Sequence, residues 1–113
     1  MVPFSVQCSA PDAGQRVITV EGEVDLEHAA DLTCLGEVAL GNDQGVQTLV
    51  IDLASVTFMD STGVGALVDI HTAATAAGVS VCIRNAPPMV TMILQISGLA
   101  RMFEVANGGQ QRP

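Results

Sequence analysis

Residues 48–53 read TLVIDL, a run of apolar and β-branched side chains broken only by Asp52, and no other stretch narrows the choice of fold so far. Five such residues in six form a strand rather than a helix, and a strand this apolar predicts cover on both faces, in the middle of a sheet. Downstream, residues 63–77 place Val64, Leu67, Val68, His71 and Ala74 on one side of a helix that stops at Gly78, and residues 79–84, VSVCIR, form a second strand. Strand, helix and strand within about 37 residues make a βαβ unit with parallel strands and a right-handed crossover.

The flanking segments extend this unit. Residues 4–9 and 16–24 alternate with a period of two around Pro11-Asp12-Ala13-Gly14, which predicts an antiparallel hairpin. Asp25 is a suitable N-cap for a helix that carries Ala29, Leu32, Leu35, Gly36 and Ala39 on one side and ends at Gly41. Pro87-Pro88 opens a helix over residues 89–97, stopped by Gly98, and residues 99–105 are expected to form a short final helix. No repeat or internal linker appears; residues 1–106 form one domain, and residues 107–113 have the composition of a disordered end. With 49% hydrophobic residues, no tryptophan or tyrosine and three phenylalanines, the core is aliphatic, as in an α/β fold.

Charge removes several function classes. Twelve acidic residues face four arginines and no lysine, a formal charge of −8, so neither nucleic acid nor an anionic membrane surface is an expected partner. No apolar stretch reaches the ~20 residues of a membrane span, and MVPFSVQ lacks the basic-then-apolar order of a signal peptide, so the expected location is the cytoplasm. Cys8, Cys34 and Cys82 are too widely spaced for a zinc site or a disulfide framework and are expected to be buried thiols. His71 and the set Met89, Met92 and Met102 are expected in or against the core. No metal or cofactor site is indicated.

Between the central strand and its helix stands TFMDSTGVGA, residues 57–66. Ser61 falls just beyond the carboxyl end of a central parallel strand, where open α/β sheets place functional groups, at a helix N-terminus that favours an anion. The plainer account is that Asp60 or Ser61 caps the helix while Gly63 and Gly65 let it approach its neighbours. Catalysis is not indicated: Ser61 has no GxSxG setting, neither His28 nor His71 is placed as its base, and the glycines match neither a dinucleotide fingerprint nor a P-loop. Arg84 ends a strand on the same carboxyl edge and is available to steady a phosphate or a partner carboxylate.

Four stretches, Glu21-Gly22-Glu23-Val24-Asp25, Leu49-Val50-Ile51-Asp52-Leu53, Phe58 to Leu67 and Ser97-Gly98-Leu99, together resemble the signatures of the STAS domain family, specifically the bacterial anti-sigma factor antagonists, in order over almost the whole chain. The resemblance implies a four- or five-stranded mixed sheet with helices packed largely on one side, and regulation by binding without catalysis. It implies phosphorylation of Ser61, in preference to the alternative acceptor Thr62, by a partner that is both anti-sigma factor and serine kinase; binding ends on phosphorylation, and a separate phosphatase restores it. Asp25 matches an acidic position near the serine loop, so Asp25, Asp60, Ser61, Thr62, Gly63 and Val64 are expected to form the partner-binding face. The alternative within the family is a ligand- or redox-sensing module not controlled by phosphorylation.

Overall fold

In the computed structural model, residues 2–41 and 45–99 and the backbone of 104–106 are described. The element order is β1 (Ser5–Cys8), β2 (Gln15–Val24), α1 (Leu26–Gly41), β3 (Thr48–Met59), α2 (Ser61–Ala76), β4 (Ser80–Arg84), α3 (Pro88–Ile96) and β5 (Glu104–Ala106). The strands form one five-stranded sheet in the order β1-β2-β3-β4-β5, antiparallel between β1 and β2 and parallel elsewhere. β3 is therefore central, as its apolar run requires.

The predicted hairpin closes through paired backbone bonds between Asp12 and Gln15, at 2.8 and 3.0 Å. Ala13 and Gly14 both take positive φ, 54° and 79°, the combination that matches the twist of a two-residue hairpin turn. Arg16 ties this hairpin to α1: its Nε donates to Ser9 O at 2.9 Å and its Nη1 to Ala39 O at 3.0 Å, satisfying an orphan carbonyl at the helix end. Replacing Arg16 by Ala is expected to cost about 1–2 kcal/mol, read as a lower urea midpoint with unchanged slope.

Ile18, Val20 and Val24 of β2 and Leu49, Ile51 and Leu53 of β3 join Leu32 of α1, Leu67 and Ile70 of α2 and Val90 and Leu94 of α3 in one cluster. Helices thus cover one face of the sheet. Expected cover on both faces of residues 48–53 is not what forms. Val50 is nearly closed at 5% exposure but stands outside that cluster, flanked across the sheet by Val17 and Cys82, and Asp52 follows on the same uncovered face.

Other differences have local causes. Helix α2 begins at Ser61, and its buried stripe runs through Gly63, Val64, Ala66, Leu67, Ile70 and Ala74, leaving Val68 and His71 only partly buried at its shoulder. Residues 104–106 pair with β4 instead of extending a final helix, and Leu99 is not helical; a helix of so few residues is marginal, whereas the edge of β4 offers unpaired backbone groups. Residues 100–103, including Met102, and the expected tail at 107–113 lie outside the described residues. Cys34 is exposed on α1, Cys8 and Cys82 are half-buried, and Met92 is 55% exposed on α3, so neither the three thiols nor the methionines are all core filler.

Candidate functional site

β2 and β3 run in parallel to the same edge, where Val24 and Met59 are register partners and Asp60 N donates to Val24 O at 3.3 Å. The next residues, Asp25 and Asp60, therefore leave the sheet side by side. Each precedes a helix whose free backbone N–H groups it accepts. Asp25 Oδ1 takes the N–H of Glu27 at 3.1 Å and of His28 at 3.2 Å. Asp60, extended at φ −105° and ψ −169°, takes the N–H of Thr62 at 2.9 Å and of Gly63 at 3.3 Å.

Ser61 and Thr62 differ chemically within this cap. The Thr62 hydroxyl donates to Asp60 Oδ1 in a short bond, whereas the Ser61 side chain is exposed and its hydroxyl makes no hydrogen bond among the described residues. The Thr62 hydroxyl is first among the causes that hold the Asp60 carboxyl below the usual aspartate range, opposed by slight desolvation and aided by the Gly63 and Thr62 N–H groups. A carboxylate depressed in the folded state stabilises fully above its unfolded value, about pH 4, and loses that contribution as pH falls through the folded value. Replacing Asp60 by Ala is therefore expected to lower Tm at pH 7 and to flatten the decline of stability below about pH 4, measured by thermal melts across that range.

Gly63 is buried against the end of β2: a Cβ there would stand 2.6 Å from Met59 Cγ and 2.8 Å from Val24 O. Gly65, expected to serve the same purpose, does not, since a Cβ there meets nothing within 4 Å. Val64 is 6% exposed and belongs to the core cluster, so it supports the first turn from below rather than lying on its surface.

Arg84 stands apart. β4 ends level with Asp52, seven residues before Met59, which puts its carboxyl end roughly 20 Å short of the Ser61 loop. Its Nη2 and Nε donate to Asp52 Oδ2 at 3.1 and 3.3 Å. Burial raises the Asp52 carboxyl, but the Ala54 N–H, Arg84 and Asn85 outweigh it and the net shift is downward. The arginine thus serves Asp52 instead of a phosphate on Ser61.

Sequence reasoning missed the surroundings of Asp25. The Phe4 ring stacks on His28, centroids 4.3 Å apart and 16° from parallel, and His28 Nδ1 lies 3.0 Å from Asp25 Oδ1. That nitrogen is buried and the contact is too poorly aligned to be a hydrogen bond, so it is a close approach of the two side chains only. The i, i+3 spacing of Asp25 and His28 was the available signal. Asp25, Glu27 and His28 also bring ligand-type atoms within 4.8 Å of one another, yet they stand on the first turn of α1, where the helix dipole opposes a cation and Asp25 is already occupied as a cap.

Comparison with known proteins identifies the fold. The anti-sigma factor antagonist SpoIIAA in its unphosphorylated form superposes with a TM-score of 0.77 at 23% identity, over 94% of this chain and 90% of that one. The phosphorylated form of the Bacillus cell fate determinant SpoIIAA gives a TM-score of 0.72 at 22% identity over 94% and 93%. A STAS domain of a SulP transporter from Vibrio cholerae gives 0.72 at 24% identity over 87% and 77%. At these identities the likeness is one of fold, shared by regulators and transporter domains alike. No curated protein matches the sequence. The family model of the STAS domain matches residues 9–110, nearly the whole chain, and the chain belongs to the STAS domain family.

Proposed function

We propose that this protein is an anti-sigma factor antagonist, a binding module without catalysis of its own, switched by phosphorylation of Ser61. The observation that carries this reading is the difference between two adjacent hydroxyls: Thr62 is committed to Asp60, and Ser61 at the helix tip is exposed and unbonded. In the unphosphorylated state the face around Asp25, Asp60, Ser61 and Thr62 binds an anti-sigma factor with serine kinase activity in the cytoplasm and displaces the sigma factor. Phosphate at Ser61 adds about −1.5 to −2 charge beside two carboxylates on a protein already at −8, and the docked state is lost until a phosphatase removes it. The helix N-terminus holds the phosphate locally, so no change of fold is needed.

The test is capture from host lysate on wild-type, Ser61→Ala and Ser61→Glu baits. A kinase-type anti-sigma factor retained by the first two and absent from the third supports the reading; equal retention by all three rejects it. The likeness to a transporter STAS domain favours a second reading, a ligand-sensing or accessory module without phosphorylation, for which Cys34 offers the exposed thiol of a redox variant. Tight binding of a nucleotide in the absence of any partner, or thiol-dependent partner affinity, is the result that selects it. No helix among the described residues is long and apolar enough to cross a membrane.

A further inference from the structure

Four glycines lie within α1 and α2. Gly41 is the last residue of α1, where a glycine ends a helix, and two of the other three are explained by packing. A Cβ on Gly36 would stand 2.5 Å from Ile70 Cγ1, and one on Gly63 would stand 2.6 Å from Met59 Cγ. Gly65 is different. It is exposed in regular helix, and a Cβ there would meet nothing within 4 Å. Alanine fits without strain, and of all residues only proline is a poorer helix former than glycine. Nothing within the described chain accounts for the bare position.

Its place does. Gly65 follows Ser61 by four residues, so the two share a face of α2, about 6 Å apart along the axis. Asp69, also exposed, continues that line by another turn. A phosphoryl donor must come within about 3–3.5 Å of Ser61 Oγ, and a specific protein contact covers about 800 Å² per partner, so whatever closes on Ser61 also covers residue 65.

We infer that Gly65 is a clearance position: it is kept bare so that a loop of the serine-kinase partner packs directly on the α2 backbone beside Ser61. This rests on the proposed function. The covering surface is basic, since Asp25, Asp60 and Asp69 line the approach and both described arginines are engaged elsewhere, Arg16 on main-chain carbonyls and Arg84 on Asp52.

Gly65→Ala, Gly65→Gln and, as a control, Thr75→Gln, exposed about 15 Å further along α2, separate the fold from the docking. Each free variant is melted, then titrated against the anti-sigma factor kinase retained by the wild-type chain, with a non-hydrolysable ATP analogue present. The expected result is a Tm a few degrees above wild type for Gly65→Ala, with affinity lower by roughly tenfold for Ala and more than a hundredfold for Gln, and wild-type affinity for Thr75→Gln. Wild-type affinity in Gly65→Gln, or an equal loss in Thr75→Gln, overturns the clearance role and leaves the proposed function standing. A lower Tm for Gly65→Ala overturns it by showing that the fold itself needs the glycine. Failure of the wild-type chain to retain any kinase removes the functional reading and the clearance role together.

Discussion

Ser61→Glu is expected to weaken binding to the anti-sigma factor kinase at least a hundredfold, about 2.7 kcal/mol, while Ser61→Ala binds as wild type. The asymmetry follows from where the side chain stands. Ser61 is exposed at the first position of α2 and its hydroxyl holds nothing together, so its removal costs the fold little. A carboxylate in the same place is welcome to the free protein, because the helix N-terminus favours it by about 0.3–1 kcal/mol. Within a docked interface the same charge must be desolvated beside Asp60 and Asp25, with no described cation near it. Free-state Tm unchanged or slightly raised, together with lost affinity, separates this mechanism from simple unfolding. Calorimetric titration with matched melts measures both, and a Ser61→Glu variant of wild-type affinity contradicts the account.

Gly63→Ala is expected to act in the opposite sense, on the fold. Alanine gains about 1 kcal/mol of helix propensity over glycine, but the added methyl would stand 2.8 Å from Val24 O and 3.0 Å from Val24 Cγ1, as well as against Met59. Met59 can turn aside; the Val24 carbonyl cannot move alone, because it accepts the Asp60 N–H that fixes the helix entry. Overpacking of this kind costs typically 1–3 kcal/mol, the upper half of that range applying where backbone must give, so after the gain in propensity a net loss of about 1–2 kcal/mol and a Tm lower by roughly 5–10 °C are expected. Partner affinity should fall as well, since relief of the clash displaces Asp60 and Ser61. A Gly63→Ala protein at least as stable as wild type would show that α2 docks less tightly on β2 than the geometry states.

Much of this architecture was legible in the sequence because its signals are local. The turn within Pro11-Asp12-Ala13-Gly14, the apolar alternation of β2, the helix starts at Asp25 and Pro87, a cap at Asp60 or Ser61 and the run at residues 48–53 each carry their own local signal. Where the reading went astray, a tertiary contact had decided. Residues 104–106 became a strand because β4 offered an edge to pair with, which no local pattern announces. Arg84 does end a strand, but β3 continues seven residues beyond its pairing with β4, and that difference in strand length, which sets Arg84 far from Ser61, has no local signal.

The candidate site divides in the same way. Asp60 as a cap is a short-range feature, and so is the contrast between a bonded Thr62 and an unbonded Ser61, though the latter appears only once the rotamers are in place. The adjacency of Asp25 and Asp60 depends on the parallel register of β2 and β3, and it was anticipated through family resemblance rather than from spacing. The stack of Phe4 on His28 was invisible because it joins the chain's beginning to a helix more than twenty residues later. Gly63 and Gly65 look alike in sequence, and only the surroundings distinguish a close approach from an open surface.

The most direct test of Ser61 as the switch is to incubate the protein with the retained kinase and ATP, map the phosphate by tandem mass spectrometry, and compare kinase affinity before and after phosphatase treatment. The account predicts a single phosphate on Ser61, affinity reduced at least a hundredfold, about 2.7 kcal/mol, and full recovery once it is removed. Phosphate on Thr62 or elsewhere, or a Ser61-phosphorylated protein that binds as tightly as the unmodified one, would contradict it.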